Sequence, residues 1–233
     1  SSNRTRRIRQ ITLTATFAIN HYTVKFDKNN GTGDTMTNQS FTYNVSQALS
    51  ANTYTRPGHT FGGWATTPTG AALYADRQMI GSQYDNAVTN QNNVEVTLFA
   101  VWNKKLYVLT IDPNNGNTPV TRNLEFGYNY EITASDVTTG QLGYTFDHWT
   151  VTSEGTPTIP AVLTNGNVVT IGDSNATAKA IYTANHYTVA FDRNTGSGSS
   201  MDTIAAIYDT LFALPECTFT APLGKVFAGW SIT

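Results

Sequence analysis

The chain contains a long internal repeat, and this repeat limits what the chain can fold into. The stretch HYTVKFDKNNGTGDTM at His21–Met36 returns 165 residues later as HYTVAFDRNTGSGSSM at His186–Met201. A divergent middle copy begins at Leu106, so successive copies start about 80 residues apart. A unit of that length is a small domain. We therefore predict a tandem array of small domains rather than one large fold.

Two further sequence patterns recur at the same spacing as the repeat. The first is Gly-x-x-Phe-x-x-Trp, which occurs at Gly58–Trp64, Gly143–Trp149 and Gly224–Trp230. The second is an apolar alternation that ends in an aromatic residue five positions before each opening tyrosine, at Leu13–Phe17, Leu98–Trp102 and Ala178–Tyr182. Alternating apolar residues are typical of a strand with one buried face. We interpret this segment as the closing strand of each unit.

The patterns divide the chain into four parts. Residues 1–17 are predicted to be the closing strand of a preceding or neighbouring unit, 21–102 repeat 1, and 106–182 a divergent repeat 2. Residues 186–233 are predicted to be repeat 3, incomplete because it lacks its closing strand.

Within a unit, Thr, Val, Tyr and Phe alternate between turns rich in Asn, Gly, Asp and Ser, which predicts a mainly β to α+β fold. The pattern indicates four strands, and a helical turn at Val45–Leu49. The spacing of large apolar residues predicts the core of the repeats, formed by Tyr22, Phe26, Phe61, Trp64, Trp102, Tyr107, Phe146, Trp149 and Tyr182.

Composition excludes several classes of function. The formal net charge is -2, which offers no general attraction for nucleic acid. No stretch reaches the roughly 20 apolar residues of a membrane helix, so no membrane insertion is predicted. The single cysteine, Cys217, cannot form an internal disulfide and is predicted to be a half-buried, inert thiol.

The residues of the first copy resemble a known family. Tyr-Thr-Val-x-Phe-Asp-x-Asn-x-Gly from Tyr22, then RPGHTFGGWA from Arg56 and VTLFAVW from Val96, resembles the Listeria-Bacteroides repeat, or internalin-type B repeat. Copy two departs from this pattern, notably where Asp147-His148 replaces Gly-Gly. The resemblance implies tandem β-grasp-like repeats in an elongated rod, and an extracellular role on bacterial cell surfaces as a stalk or adhesin. It implies no catalytic residue.

No residue pattern predicts an enzyme, a cofactor or a metal. Asp27–Asp34 has oxygen ligands near the spacing of a calcium loop, but it lacks the closing acidic residue, and a hairpin turn explains it better. His21 and His186 lie at equivalent positions before the first strand, whereas His59 and His148 flank the Trp motif at different offsets, so the four are not expected to form one metal cluster. The arginines at positions 4, 6, 7 and 9 are interpreted as the solvent face of a strand or a protected sheet edge.

The first and third copies suggest a mode of assembly. The N-terminal residues Ile11, Leu13, Ala15 and Phe17 form the closing strand that repeat 3 lacks. A unit without that strand exposes an unpaired sheet edge and an apolar groove. We predict this acceptor groove at Tyr187, Val189, Phe191, Phe227 and Trp230. Identical subunits would then join head to tail into a surface filament.

Two alternatives remain open. In the first, the ends interrupt a longer repeat array, and the chain is a stalk segment of an adhesin. In the second, the scaffold presents a module that binds a host protein or glycan, with the tryptophans as stacking platforms, although their repeat-locked spacing favours the core.

Overall fold

In the computed structural model, residues 10–81 and 87–232 are described, and these residues form β-strands and no helix. The chain divides into two compact units, Ser1–Lys104 and Lys105–Thr233. The first unit holds copy one, and the second holds copies two and three. The fold is therefore all-β over the described residues.

Copy one builds a four-stranded mixed sheet in which the closing strand is central. Its strands are β1 His21–Asp27, β2 Gln39–Thr42, β3 Gln47–Ala48, β4 His59–Ala65, β5 Met79–Ile80 and β6 Val94–Lys104. The order in the sheet is β2-β1-β6-β4, and β3 pairs with β5 separately. β6 runs parallel to β1 and antiparallel to β4. The last strand of the copy therefore fills the middle of the sheet.

The core of copy one lies on one face of this sheet because apolar residues alternate along each strand. Trp64 lies at its centre and contacts the rings of Phe26, Phe61 and Tyr54. The buried members of the core are Tyr22, Val24, Phe26, Met36, Phe41, Leu49, Tyr54, Trp64, Ile80, Leu98 and Ala100. Burial of this apolar surface is the main source of the unit's stability.

Copy two has the same sheet with its own additions. Its strands are β7 Leu106–Asp112, β8 Val120–Glu125, β9 Asn129–Glu131, β10 Tyr144–Ser153, β11 Val162–Thr164, β12 Val168–Thr170 and β13 Ala176–Ala184. The main sheet has the order β10-β13-β7-β8, with β13 parallel to β7. A second sheet, β11-β12-β9, contains the antiparallel pair β9-β12, as β3-β5 does in copy one, and adds β11 to it. The closing strand is again central.

The divergent Asp147-His148 of copy two keeps the register shift of the Gly-Gly that it replaces. In copy one the register of β4 against β6 shifts between Phe61 and Gly63. In copy two the register of β10 against β13 shifts between Phe146 and His148. One extra residue is thus inserted at the same place in both copies, which forms a β-bulge.

Copy three forms a two-stranded sheet in the described residues, β14 His186–Val189 with β15 Ile204–Ile207. These strands correspond to β1 and β2. Residues 225–231, which correspond to β4, are not a strand. In the complete copies this segment pairs with the closing strand, so without that strand its backbone has no ladder partner.

One sequence prediction about secondary structure is wrong. Val45–Leu49 forms no helical turn, because Gln47 and Ala48 pair with Ile80 and Met79 as strand β3. Residues 10–17 are in no strand within this chain, and their assignment to the closing strand of a preceding or neighbouring unit stays a prediction. The β-grasp-like and rod-like parts of the expectation stay predictions.

Candidate strand-acceptor groove

Copy three contains a groove of about 980 Å³ between β14 and residues 225–231. Val189 and Phe191 line one wall, and Phe227 and Trp230 line the other. In copies one and two, the closing strand lies at the equivalent place, between β1 and β4 or between β7 and β10. The groove therefore lies at the place that the closing strand takes in the middle of the sheet in the complete copies. The predicted acceptor edge is β14, and residues 225–231 form the facing wall.

The aromatic residues of the groove already have the arrangement of a complete copy. Phe191 and Trp230 have ring centroids 4.8 Å apart with an interplanar angle of 54°, against 4.8 Å and 53° for Phe26 and Trp64. The ring of Phe227 lies 5.1 Å from that of Trp230, against 4.9 Å for Phe61 and Trp64. The floor of the groove is thus preorganised, which reduces the entropy that an incoming strand has to overcome.

The complete copies define how a strand sits in this gap. In copy one, Phe26 pairs with Leu98 on the parallel side. On the antiparallel side, Trp64 pairs with Ala100 and Phe61 with Trp102. Copy two repeats the antiparallel side with Trp149 opposite Ala180 and Phe146 opposite Tyr182. A strand in the groove of copy three is expected to place a small residue opposite Trp230 and an aromatic residue opposite Phe227.

Residues 10–19, which we call the donor segment, have the matching sequence and are exposed. The exposed fractions are 82% for Ile11, 91% for Leu13 and 95% for Phe17. Leu98 and Ala100, which correspond to Leu13 and Ala15, are fully buried. Three exposed large apolar side chains at odd-numbered positions of the segment are typical of a strand that packs against a partner surface.

Sequence reasoning missed an asparagine that holds the closing strand from the side, which we call the turn asparagine. Asn29 Nδ2 donates to Ala100 O at 2.9 Å, and Asn114 Nδ2 donates to Ala180 O at 3.1 Å. The signal for it was present in the sequence as Asp-x-Asn at Asp27, Asp112 and Asp192. We interpreted that pattern only as a turn.

The turn interpretation of these aspartates is also what the geometry supports. Asp27 Oδ1 accepts a hydrogen bond from the Asn29 backbone N–H at 2.7 Å, and Asp112 Oδ1 accepts one from Asn114 N–H at 2.8 Å. Such an Asx-turn fixes the asparagine in the left-handed region, with φ of 44° at Asn29 and 50° at Asn114. The carboxylate therefore positions the turn asparagine.

The groove extends beyond the place of a closing strand. Leu214, which corresponds to the buried Leu49, is 51% exposed. Leu49 is covered in copy one by β5, since the Leu49 N–H donates to Gln78 O and Ile80 packs in the same core. The described residues of copy three contain no counterpart of β5. Filling the groove with one strand would thus leave the Leu214 end open.

The other predicted acceptor and core residues fall into three groups. Tyr187 lies outside the groove, in a shallow depression beside Ile207 and Tyr208. Among the predicted core residues, Tyr22, Phe26, Trp64 and Trp149 are buried. The remaining ones pack half-buried against the two cores, namely Phe61, Trp102, Tyr107, Phe146 and Tyr182.

Further candidate residues lie apart from the groove or at its margin. Within the described ranges, no three of the His, Cys, Asp and Glu side chains come close enough to hold a metal ion. Cys217 is half-buried in the groove wall. The arginines at positions 4, 6, 7 and 9 lie outside the described residues.

Copy two contains a half-buried polar network, which has a structural role. Asp136 accepts hydrogen bonds from Tyr130 Oη, from Arg122 Nη2 at 2.8 Å and from the Thr133 N–H at 2.9 Å. Burial alone would raise the pKa of the Asp136 carboxyl, but these hydrogen bonds outweigh it and lower the pKa below its usual value. The carboxylate is therefore charged and ties the loop at residues 133–136 to β8.

Comparison with known proteins agrees with this architecture. The model of the Listeria-Bacteroides repeat domain matches residues 22–101. Residues 22–101 are a Listeria-Bacteroides repeat. The match begins at the first buried tyrosine of copy one and ends within its closing strand. The resemblance found in the sequence is thus confirmed for this copy. The family suggests a bacterial surface or extracellular repeat protein, and proteins with this repeat are typically structural.

A relative from Evansella cellulosilytica named "Putative membrane protein" is 28% identical over 148 residues. This alignment covers 61% of the chain and 20% of the relative, so the chain spans about a fifth of the length of the relative that it matches. Over the part of the chain that the structure describes, no helix has the length and apolarity to cross a membrane.

Proposed function

We propose that this protein is an extracellular structural subunit of a bacterial surface, and that molecules join by donation of the donor segment of one into the groove of copy three of the next. The single observation that carries the proposal is the match between this gap and the exposed residues 10–19. No catalytic step is part of this function. The units act as β-grasp-like spacers, and the contact acts as the joint.

Hydrogen bonding favours this joint. An incoming strand would pair on both sides, parallel to β14 and antiparallel to residues 225–231, as β6 does in copy one. Backbone groups on both walls of the gap would gain partners, which is the usual basis of recognition by strand addition. An edge strand gains a partner on one side only, so a central gap provides more of this energy per residue.

Side-chain burial favours the same joint. With the register of copy one, Ile11 lies opposite Val189, Leu13 opposite Phe191 and Phe17 opposite Phe227. Leu13 would move from water to the place of the fully buried Leu98, which is worth about 1.5 to 3 kcal/mol. Ile11 and Phe17 would move to the half-buried places of Val96 and Trp102, where the gain is smaller. The spacing to the next unit also agrees, since Phe17 precedes Tyr22 by the same five residues that separate Trp102 from Tyr107.

The test is the mass of the full chain in solution, measured by light scattering, with negative-stain microscopy of the same samples. Leu13→Asp places a charge where Leu98 is buried in copy one, and it is expected to abolish association. Thr14→Lys is the matched control on the opposite face of the strand. Copy two already has Lys179 at this position, 4.0 Å from Asp112. We expect the unmodified chain and Thr14→Lys to form filaments, and Leu13→Asp to be a monomer.

Three outcomes would contradict this proposal. A monomeric unmodified chain would mean that the groove is not filled by the donor segment, and would favour a stalk segment whose gap is closed by another strand of a longer array. Association of Leu13→Asp equal to that of the unmodified chain would mean that the contact lies elsewhere. A closed dimer would retain strand donation but rule out head-to-tail growth.

A further inference from the structure

Both complete copies recognise the middle of their closing strand in the same way. The recognised residue is an alanine, Ala100 or Ala180, whose side chain is fully buried opposite a tryptophan. Its carbonyl oxygen accepts the hydrogen bond from the turn asparagine, at 2.9 Å from Asn29 and 3.1 Å from Asn114. The turn asparagine and the tryptophan therefore contact the backbone and the side chain of the same alanine.

Copy three has this arrangement without the strand. Asp192 Oδ1 accepts the hydrogen bond of the Asn194 N–H at 2.5 Å, and Asn194 has φ of 51°, as in the other two turns. Within the described ranges, no hydrogen bond of the Asn194 side-chain amide is present. Trp230 keeps its ring contacts with Phe191 and Phe227. Copy three thus contains Asn194 and Trp230, the counterparts of the two residues that contact the alanine in the complete copies.

We propose, on the basis of the proposed function, that the groove is a peptide-binding site selective for a strand of the form Leu-x-Ala-x-aromatic, and that Asn194 and Trp230 recognise Ala15 of the donor segment. Asn194 Nδ2 donates to the Ala15 carbonyl oxygen. The Ala15 side chain lies against Trp230, as Ala100 does against Trp64. The peptide runs parallel to β14.

Selection at Ala15 fixes the register of the joint. The neighbours of Ala15 in the donor segment are Thr14 and Thr16, so a slip by one residue would place a threonine opposite Trp230. Such a slip would also turn Leu13 and Phe17 to the other face of the sheet. A larger residue than alanine would overfill the space under the tryptophan. Only one register therefore allows both the hydrogen bond from the Asn194 side chain and the packing of an alanine against the Trp230 ring.

The experiment measures binding of a fluorescent peptide of residues 10–20 to the full chain carrying Leu13→Asp, by anisotropy. This variant keeps its own donor segment out of the groove. Peptide Ala15→Leu is expected to bind roughly 10- to 100-fold more weakly. Peptide Thr14→Leu is the control, with a similar side chain added on the opposite face, and is expected to bind within about 3-fold of the unmodified peptide.

Variants of the protein test the asparagine. Asn194→Ala is expected to weaken binding of the unmodified peptide by about 2- to 10-fold, the usual worth of one hydrogen bond. Asn29→Ala, the same change in a complete copy, is expected to leave binding unchanged. Trp230→Ala is expected to abolish binding, which locates the peptide in copy three. Circular dichroism confirms that each variant is folded, and Phe17→Asp provides a second host chain.

The outcomes separate this inference from the proposed function. If the unmodified peptide binds neither host chain, strand donation itself fails. If it binds, but Ala15→Leu and Thr14→Leu weaken it equally, the proposed function stands and the selection for alanine is refuted. If Asn194→Ala and Asn29→Ala have the same effect, Asn194 does not read the strand.

Discussion

Trp64 and Trp230 occupy the same position of the repeat in a complete and an incomplete copy, and their replacement is expected to differ in effect. Trp64 is fully buried, and its ring lies 4.8 Å from Phe26 and 4.9 Å from Phe61. Trp64→Ala removes the largest side chain of this core and is expected to cost about 3 to 5 kcal/mol. A domain has about 5 to 15 kcal/mol of stability, so the first unit would be left marginal.

Trp230 has nearly the same ring neighbours but lies in an open groove, so water can enter the space that Trp230→Ala leaves. We expect its cost to the free chain to be about half that of Trp64→Ala or less, because less apolar surface is withdrawn from water. Trp230→Ala should instead weaken the association between molecules.

The assay is amide hydrogen exchange read by mass spectrometry, with both changes made in the Leu13→Asp chain so that association does not contribute. For Trp64→Ala, the slowest amides of residues 21–104 are expected to exchange about two to four orders of magnitude faster. Residues 105–184 should be unaffected, because the two units have separate cores. An equal acceleration in both units would refute the independence of the units.

Three further predictions follow from local geometry. Gly63→Ala should lower the stability of the first unit by about 1 to 3 kcal/mol in a urea titration. The reason is that Gly63 has φ of 122° and a Cβ there would lie 2.6 Å from Tyr74 O. Gly229→Ala should cost less stability, because its Cβ meets nothing within 4 Å. Because the pKa of Asp136 is lowered, its contribution to stability is present at neutral pH and is lost as pH falls through its folded-state pKa. Asp136→Asn should therefore reduce the pH dependence of the free energy of unfolding below about pH 4. An unchanged pH dependence would contradict this. Asn114→Ala should destabilise copy two by about 1 kcal/mol in thermal unfolding, with the exposed Asn117→Ala as a control near zero.

The local patterns of the sequence predicted more of this molecule than its non-local pairings. The alternation at Tyr22, Val24 and Phe26 and the spacing of the Trp motif located the strands and the buried tryptophans, since both depend on periodicity alone. Neighbours in sequence cannot show that β6 lies between β1 and β4, because that order depends on a parallel pairing about 70 residues apart. The helical turn at Val45–Leu49 failed for the same reason, since β5 overrides the local preference.

The candidate site also rests on local information. The donor residues are proposed because they repeat the closing strand, and four of the five proposed acceptor residues line one groove. Tyr187 lies outside that groove, and its counterpart Tyr22 is buried in copy one, where Val94 lies opposite it on β6. The turn asparagine was missed because a hydrogen bond from its side chain to a distant strand leaves no periodic signal.

The central position of the closing strand has a consequence for synthesis and export. In each copy, the strand that fills the middle of the sheet is the last to leave the ribosome or a secretion channel. A nascent copy therefore passes through a state like that of copy three, with β1 and β2 paired and a gap beside them, until about 70 more residues have emerged. While that gap is open, a closing strand of similar sequence from an adjacent copy or another chain competes for it. Exchange of closing strands is thus the characteristic misfolding hazard of this array, and the rate of chain emergence determines how long each copy is exposed to it.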